Sequence, residues 1–231
     1  MPNTQFHTAI STPRYQRYLS VCGSKNRALK LYRANIALSQ QLYGVIGIFE
    51  VILRNTIDRH MTTKKGALWL EEAVALGGCF DINPGCEDAF HVIQDAIQSL
   101  GKDYTHDKLI AKLSFGFWRY QFGPKEFAAS GSSLLEIFPN RPFGTRQKTI
   151  FQFLTKINDI RNRIAHHEPL CFDGTIISTI RAYKRYTLIL ELLKWLGCDP
   201  KRILYGIDKV EKSLNAIQNI QEEILSVRLA A

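Results

Sequence analysis

Apolar side chains recur at helical spacing through most of this chain. Between residues 26 and about 62 they form one stripe, as one long helix or two stacked helices. A second stripe runs from residue 145 to 167, and its helix must end near Glu168 because a residue before proline avoids the helical region. The first stripe consists of Leu42, Val45, Ile46, Phe49, Leu53 and Ile57, and the second of Ile150, Phe153, Leu154, Ile157, Ile160 and Ile164. No segment alternates like a strand, so the pattern predicts an all-α fold.

Turn residues separate the other predicted helices. A short helix is expected within 64–78, ended by Gly77 and Gly78, and another within 82–101, stopped by Gly101. Residues 105–123 indicate one helix or a broken pair. A long helix is predicted in 173–197 with Asp173 as its cap, and an amphipathic helix in 208–229.

The predicted domain organisation has three parts. Residues 1–25 form an N-terminal extension, 26–198 a helical domain, and 199–231 a C-terminal helix packed on that bundle. The Pro-, Gly- and Ser-rich segment 123–144 is interpreted as a loop-rich insertion or lid with short helical turns. At 231 residues, 45% of them hydrophobic, the chain is long enough to bury a sizeable core.

Composition limits the possible environments of the protein. No uninterrupted apolar stretch approaches the roughly 20 residues of a membrane span, and the first residues lack the pattern of a signal peptide. We therefore expect a cytoplasmic protein without a membrane partner. The cysteines are odd in number, scattered and without a C-x-x-C spacing, so they are expected to be reduced and to hold no zinc.

The charge favours a polyanionic partner. The chain has thirty Lys and Arg residues and twenty-one Asp and Glu residues, which gives a net charge of +9. Nucleic acid is therefore the favoured partner, and a membrane surface is a less favoured one. The alternative is an ordinary solvated basic face. The excess is concentrated before and within one motif, where only Asp159 opposes the basic residues Arg141, Arg146, Lys148, Lys156, Arg161 and Arg163.

The motif is the stretch DIRNRIAHHEPL, residues 159–170. Arg161 and His166 are five residues apart, so on an ideal helix they point about 140° away from each other. They cannot form a compact pair on one face, but they can converge across a cleft, particularly if a second copy faces the first. The negative end of the helix dipole stabilises an imidazolium, which suits a proton donor. The alternative is an exposed Arg with a His that caps the helix.

Three blocks of the sequence carry a family resemblance. RNRIAH fits the pattern R-x(4–6)-H, and it is accompanied in order by FEVILRNTID at 49–58 and LSFGFWRYQF at 113–122. Together they resemble the Abi-like proteins of bacterial abortive-infection systems, within the HEPN superfamily of helical ribonucleases. The resemblance covers roughly residues 25–195 and implies a HEPN-like helical bundle with additional helices.

The resemblance implies a metal-independent endoribonuclease without a cofactor, acting as a toxin-type antiphage effector. The ribose 2′-hydroxyl would attack the adjacent phosphate and leave a 2′,3′-cyclic phosphate and a 5′-hydroxyl. In these roles His166 moves protons, Arg161 neutralises charge on the phosphate, and Asn162 orients one of them. DNA lacks the nucleophile, so the substrate would be RNA.

Supporting roles are predicted for residues around this centre. Glu50 and Arg54, with Asn55 beside them, form either a structural i, i+4 pair or a set that orients Arg161 or His166. His167 and Glu168 either bind substrate or cap the helix. A metal site built from His166, His167 and Glu168 is rejected, because neighbouring side chains on a helix diverge. The aromatic residues Phe115, Phe117 and Trp118 are expected in the core rather than stacked on bases.

The expected partners follow from this interpretation. RNA would contact Arg141, Arg146, Lys148, Lys156 and Arg163. The active form would be a symmetric homodimer with a shared site, restrained by an antitoxin protein or a regulatory RNA. Two other classes remain open: a non-catalytic RNA-binding HEPN module regulated by a partner, and a purely structural helical scaffold.

Overall fold

Helices dominate the computed structural model, which describes residues 9–229. The prediction of an all-α fold is confirmed, because the described strands form only a two-stranded hairpin. The α-helices are α1 Thr12–Cys22, α2 Lys25–Lys65, α3 Trp69–Ala73, α4 Cys79–Ile82, α5 Glu87–Leu100, α6 His106–Lys112, α7 Phe115–Tyr120, α8 Pro124–Ala129, α9 Gln147–Ala165, α10 Ile180–Trp195, α11 Pro200–Ile203 and α12 Val210–Leu229. Two 3₁₀ turns, Gly101–Asp103 and Leu134–Ile137, and the strands β1 Phe172–Asp173 and β2 Ile176–Ile177 complete the order.

The chain forms two compact units. The first contains Met1–Val45, Ile160–Thr187 and Leu204–Ala231, and the second contains Ile46–Asp159 and Leu188–Ile203. The chain passes between them within α2, α9 and α10. The predicted boundaries 1–25, 26–198 and 199–231 stay predictions. Residues 1–8 of the N-terminal extension lie outside the described residues, and its remainder includes α1.

The hairpin corrects one prediction. Asp173 does not cap a helix: it lies in β1 and pairs with Ile176 of β2, and the next helix begins only at Ile180. The physical reason is Gly174, whose φ of 57° allows a tight turn between the strands. The β-branched Ile176 and Ile177 then suit an extended backbone better than a first helical turn.

Aromatic packing organises the first unit around the same hairpin. Tyr18 is buried, and its ring lies edge-on to Tyr32 at 5.1 Å and to Phe172 at 5.0 Å between centroids. The Arg17 guanidinium lies 4.7 Å from the centroid of the Phe172 ring, a cation–π contact. These contacts hold α1 against α2 and β1.

The second unit buries the aromatic block LSFGFWRYQF. Phe115, Phe117 and Trp118 are at most 5% exposed, which confirms that they are core residues. The indole Nε1 of Trp118 donates to the Leu113 carbonyl at 3.1 Å, so the polar group of a buried ring is satisfied. Of the two readings of residues 105–123, the broken pair is correct, since α6 and α7 are separate helices.

The other helix predictions differ in their ends. The stripe after residue 26 forms one continuous helix, α2, rather than two. The helix expected within 64–78 shortens to α3, because Lys64 and Lys65 belong to α2 and Gly66 turns the chain with a φ of 101°. Gly101 does follow the last residue of α5. Segment 123–144 contains α8, one 3₁₀ turn and turns between them.

Helix α2 bears on the membrane prediction. Among residues 9–229 it is the one helix that is long and apolar enough to cross a membrane by length and composition, although polar residues interrupt its apolar stretch. A core helix of a soluble protein passes the same test. Several α2 side chains, including Leu42, Phe49 and Leu53, are fully buried within the protein.

A polar network connects α2, α3 and α6 in the second unit. His106 Nε2 lies 2.8 Å from Asp58 Oδ1, its Nδ1 lies 3.3 Å from Glu71 Oε2, and the Trp69 indole donates to Asp58 at 2.9 Å. The Tyr104 hydroxyl donates to Glu71. Burial alone would lower the pKa of His106, but hydrogen bonds and charges from Asp58 and Glu71 outweigh it and raise the pKa.

This network predicts a stability that depends on pH. A raised pKa in the folded state means that protonation of His106 stabilises the fold below the unfolded value of about 6.5, and that this stabilisation is lost as pH rises through the folded pKa. The free energy of unfolding of the wild type should therefore exceed that of His106→Gln most at about pH 6 and least at about pH 9.

Urea unfolding at several pH values measures both proteins. The exposed His91, on α5 of the same unit, provides the control variant His91→Gln, whose difference from the wild type should change much less. An advantage over His106→Gln that is constant or grows with pH would contradict the charged network.

Candidate active site

The motif begins in the last two turns of α9. The predicted apolar stripe is present, with Ile150, Leu154, Ile157 and Ile160 buried and Phe153 and Ile164 partly buried. Arg161, Asn162 and Arg163 follow the last buried position and are only partly exposed. The helix thus carries the polar block at the point where its apolar face ends.

A Schellman motif closes α9 and places both histidines beyond its last residue. The Glu168 amide donates to the Arg163 carbonyl at 2.8 Å, and the His167 amide donates to the Ile164 carbonyl at 3.0 Å. His167 has a φ of 56°, in the left-handed position that glycine usually occupies. The prediction that the histidines lie within the final turn is therefore corrected: α9 ends at Ala165, and His166 is the capping residue.

Arg163 and Glu168 stabilise this turn. Arg163 Nη2 donates to the Pro169 carbonyl at 2.9 Å, and its Nε lies 3.2 Å from Glu168 Oε2. The second contact is an ion pair without hydrogen-bond geometry, because the buried Nε–H makes no hydrogen bond. The pair replaces the apolar contact that often accompanies a Schellman motif. Arg163 was predicted to bind RNA, and in this structure its guanidinium holds the turn.

Asn35 of α2 fixes the chain that follows the motif. Its Oδ1 accepts from the Leu170 amide at 2.7 Å and from the Cys171 amide at 3.1 Å, and the residue is 4% exposed. The sequence analysis missed this residue. The available signal was its place on a helical stripe with Leu31, Leu38 and Leu42, where a lone Asn implies a buried polar partner.

Arg161, Asn162 and His166 remain accessible to a ligand. Arg161 Nη1 donates to Asn162 Oδ1 at 3.4 Å, which is a long and weak hydrogen bond. His166 is exposed, and no hydrogen bond or ion pair of its ring occurs within residues 9–229. Asn162 thus contacts Arg161 only weakly, and its predicted role in orienting Arg161 or His166 stays a prediction. The Arg161 and His166 side chains can still contact an anion.

The other predicted supporting residues lie on α2. Arg54 is partly buried and its Nη1 donates to the Ala111 carbonyl at 3.4 Å, while its buried Nε makes no hydrogen bond. Glu50 also has an interaction partner, and Asn55 is exposed. Their proposed role in orienting Arg161 or His166 stays a prediction.

The basic segment before the motif divides into two kinds of residue. Arg141 donates through Nη1 to the Leu135 carbonyl at 2.8 Å and to the Phe138 carbonyl at 3.0 Å, so it holds the 3₁₀ turn. Arg146, Lys148 and Lys156 are exposed. Of the five residues predicted to contact RNA, these three therefore present their charge to solvent.

Metal ligation and thiol chemistry find little support among the described residues. Residues 9–229 contain no group of three or more His, Cys, Asp or Glu side chains arranged to hold a metal ion. The five cysteines form no disulfide with one another, and Cys22, Cys86 and Cys171 are buried. Burial raises the pKa of Cys171 to about 12, so this thiol close to the motif is not a nucleophile at neutral pH.

Comparison with known proteins does not extend this description. The chain matches no protein-family model, no curated protein and no solved structure. The resemblance of its three sequence blocks to Abi-like proteins stays a prediction.

The Asn35 contacts predict a large stability effect. Asn35→Ala leaves two buried amides without an acceptor, at about 1 to 3 kcal/mol each, so the free energy of unfolding should fall by about 2 to 6 kcal/mol. Urea unfolding of Asn219→Ala, the same change at an exposed position of α12, should differ from the wild type by less than about 0.5 kcal/mol. Equal effects of the two substitutions would contradict the role of Asn35.

Proposed function

We propose that this protein is a metal-independent endoribonuclease of the HEPN type that acts in the cytoplasm as an antiphage effector. The observation that carries the proposal is the accessible group Arg161, Asn162 and His166 on a rigidly closed helix end. The motif resemblance, the net charge of +9 and the exposed Arg146, Lys148 and Lys156 support the choice of RNA.

The proposed reaction is an internal transfer. A base removes the proton of the ribose 2′-hydroxyl, the 2′-oxygen bonds to phosphorus, and the bond from phosphorus to the 5′-oxygen breaks. An acid gives its proton to that leaving oxygen, so the products are a 2′,3′-cyclic phosphate and a 5′-hydroxyl. His166 serves as acid or base, and the Arg161 guanidinium stabilises the charge that develops on the phosphate oxygens.

A single copy of the motif supplies too few groups for this reaction. The reaction needs an acid, a base and a phosphate clamp around one phosphodiester. Arg163 is already held by Glu168 and Pro169, so one copy offers only Arg161 and His166 to the phosphodiester. We therefore propose a two-fold homodimer in which the motifs of both copies share one site, since an isologous contact brings identical patches together.

Substitution at the motif tests the chemistry. In EDTA, His166→Ala should reduce RNA cleavage about 10²- to 10⁴-fold and Arg161→Ala about 10²- to 10³-fold, because each removes a group that acts in the transition state. The assay follows radiolabelled RNA and identifies the 2′,3′-cyclic phosphate ends.

Two exposed residues provide matched controls. His91→Ala removes an imidazole from α5, and Arg202→Ala removes a guanidinium that is 90% exposed at α11. Both should cleave RNA within about twofold of the wild type. Wild-type activity in His166→Ala and Arg161→Ala would contradict the proposal. Tight RNA binding without cleavage by the wild type would instead favour the non-catalytic RNA-binding module.

A mixing experiment tests the shared site. At a threefold excess of His166→Ala chains, about three quarters of the wild-type chains acquire a variant partner after random exchange. If both copies build one site, cleavage should fall to about a quarter of the value expected from the amount of wild-type chain. Mixing with His91→Ala chains is the control and should cause no loss. Activity proportional to wild-type chain, together with a monomer mass in solution, would contradict the dimer.

A further inference from the structure

A second site lies in the second unit, apart from the residues of the motif. It is a pocket of about 370 Å³, within the size range of small-molecule sites. One wall comes from α5, where Asp88, His91 and Asp95 lie at positions i, i+3 and i+7 of one helix face. Phe117 and Tyr120 of α7 form another wall.

The buried charged residue among those lining this pocket is Glu126 of α8. It is 7% exposed, and among the described residues its carboxylate takes part in no ion pair within 4 Å; its own backbone N–H is the only hydrogen-bond donor that meets it. Burial raises the pKa of Glu126, the nearby Asp88 adds to this effect, and Arg119 opposes it. No cation forms an ion pair with Glu126 among residues 9–229, so a positively charged ligand would offset the cost of burying this carboxylate.

Gly123 explains how this carboxylate is held in place. A Cβ at Gly123 would collide with Glu126 Oε2 and crowd the Tyr120 carbonyl, so glycine leaves room for the carboxylate at this position. Gly123 is the N-cap of α8 and Glu126 lies in its first turn, so the side chain folds back over the start of its own helix. The carboxylate therefore lies beside the start of α8.

The lining combines negative charge with apolar surface. Asp88, Asp95 and Glu126 contribute carboxylates, and no Lys or Arg among residues 9–229 lines the pocket, although the whole chain carries a net charge of +9. Phe117, which is 5% exposed, adds an aromatic surface that attracts organic cations. A strongly hydrated metal ion uses oxygen ligands and gains nothing from such a wall. The lining of the pocket therefore suits a ligand that carries ammonium groups on an alkyl chain.

We propose that this pocket binds a linear alkyl polyamine, with one ammonium group on Glu126 and others along the carboxylates of α5. Asp88 and Asp95 are seven residues apart, so they are spaced about 10 Å along the helix, which suits a ligand with several amines separated by methylene groups. The site does not depend on RNA cleavage, and its test uses binding alone.

Calorimetric titration of the RNA-free protein with spermidine at fixed ionic strength tests the site. The wild type should bind one equivalent, and Glu126→Gln should weaken binding about tenfold or more, because it removes the buried charge while keeping the size of the side chain. Asp103→Asn removes an equal charge from the same unit outside the pocket and should change the affinity less than about twofold. The uncharged analogue 1,4-butanediol should not bind.

A second variant and a stability measurement distinguish loss of the binding site from loss of the fold. Phe117→Leu should weaken spermidine binding severalfold through loss of the aromatic face. Glu126→Gln should melt no lower than the wild type, because the substitution keeps the size of the side chain and removes a buried charge that has no ion pair. Unchanged affinity in Glu126→Gln, equal weakening in Asp103→Asn, or displacement of spermidine by an equal concentration of Mg²⁺ would overturn the proposal and indicate general counter-ion attraction.

Discussion

The motif depends on how the backbone continues after α9. A chain that leaves a helix into a buried segment must find acceptors for its amides, since an unpaired buried N–H costs about 1 to 3 kcal/mol. Here Pro169 forbids a further helical turn, and Leu170 and Cys171 enter the core at once. A single oxygen, Asn35 Oδ1, accepts both of their amides. Because Asn35 holds the segment after the turn in the core, His166 stays at the exposed turn before it.

Some of the basic residues near the motif are already engaged in contacts within the protein, so they are not all free to bind phosphate. The guanidinium groups of Arg163 and Arg141 donate hydrogen bonds to backbone carbonyls, and Arg163 also forms an ion pair with Glu168. A phosphate would have to displace these contacts before either arginine could bind it. The salt dependence of RNA binding reports the number of phosphates neutralised. That number should therefore reflect the exposed cations rather than every Lys and Arg of the segment.

Features that depend on neighbouring residues could be predicted from the sequence, whereas features that depend on contacts between distant residues could not. The apolar stripe of α9 and the stop at Pro169 are local, and the sequence analysis placed both within a few residues. The helix assigned from Asp173 was wrong because the residues after it fit a helical period while Gly174 turns the backbone. Asn35 and the partners of His106 escaped notice because their contacts join residues far apart in sequence. A local pattern carries no information about such partners.

The chemistry of the proposed reaction places a final demand on this geometry. Acid and base must act on opposite sides of an in-line phosphate, whereas His166 and His167 are neighbours whose side chains leave the backbone in different directions. The left-handed φ of His167 completes the turn that holds Glu168 against Arg163. Bringing His167 towards the same phosphate would break the helix cap. A second copy of His166 meets the demand without that cost, so the rigid turn itself favours a site assembled from two chains.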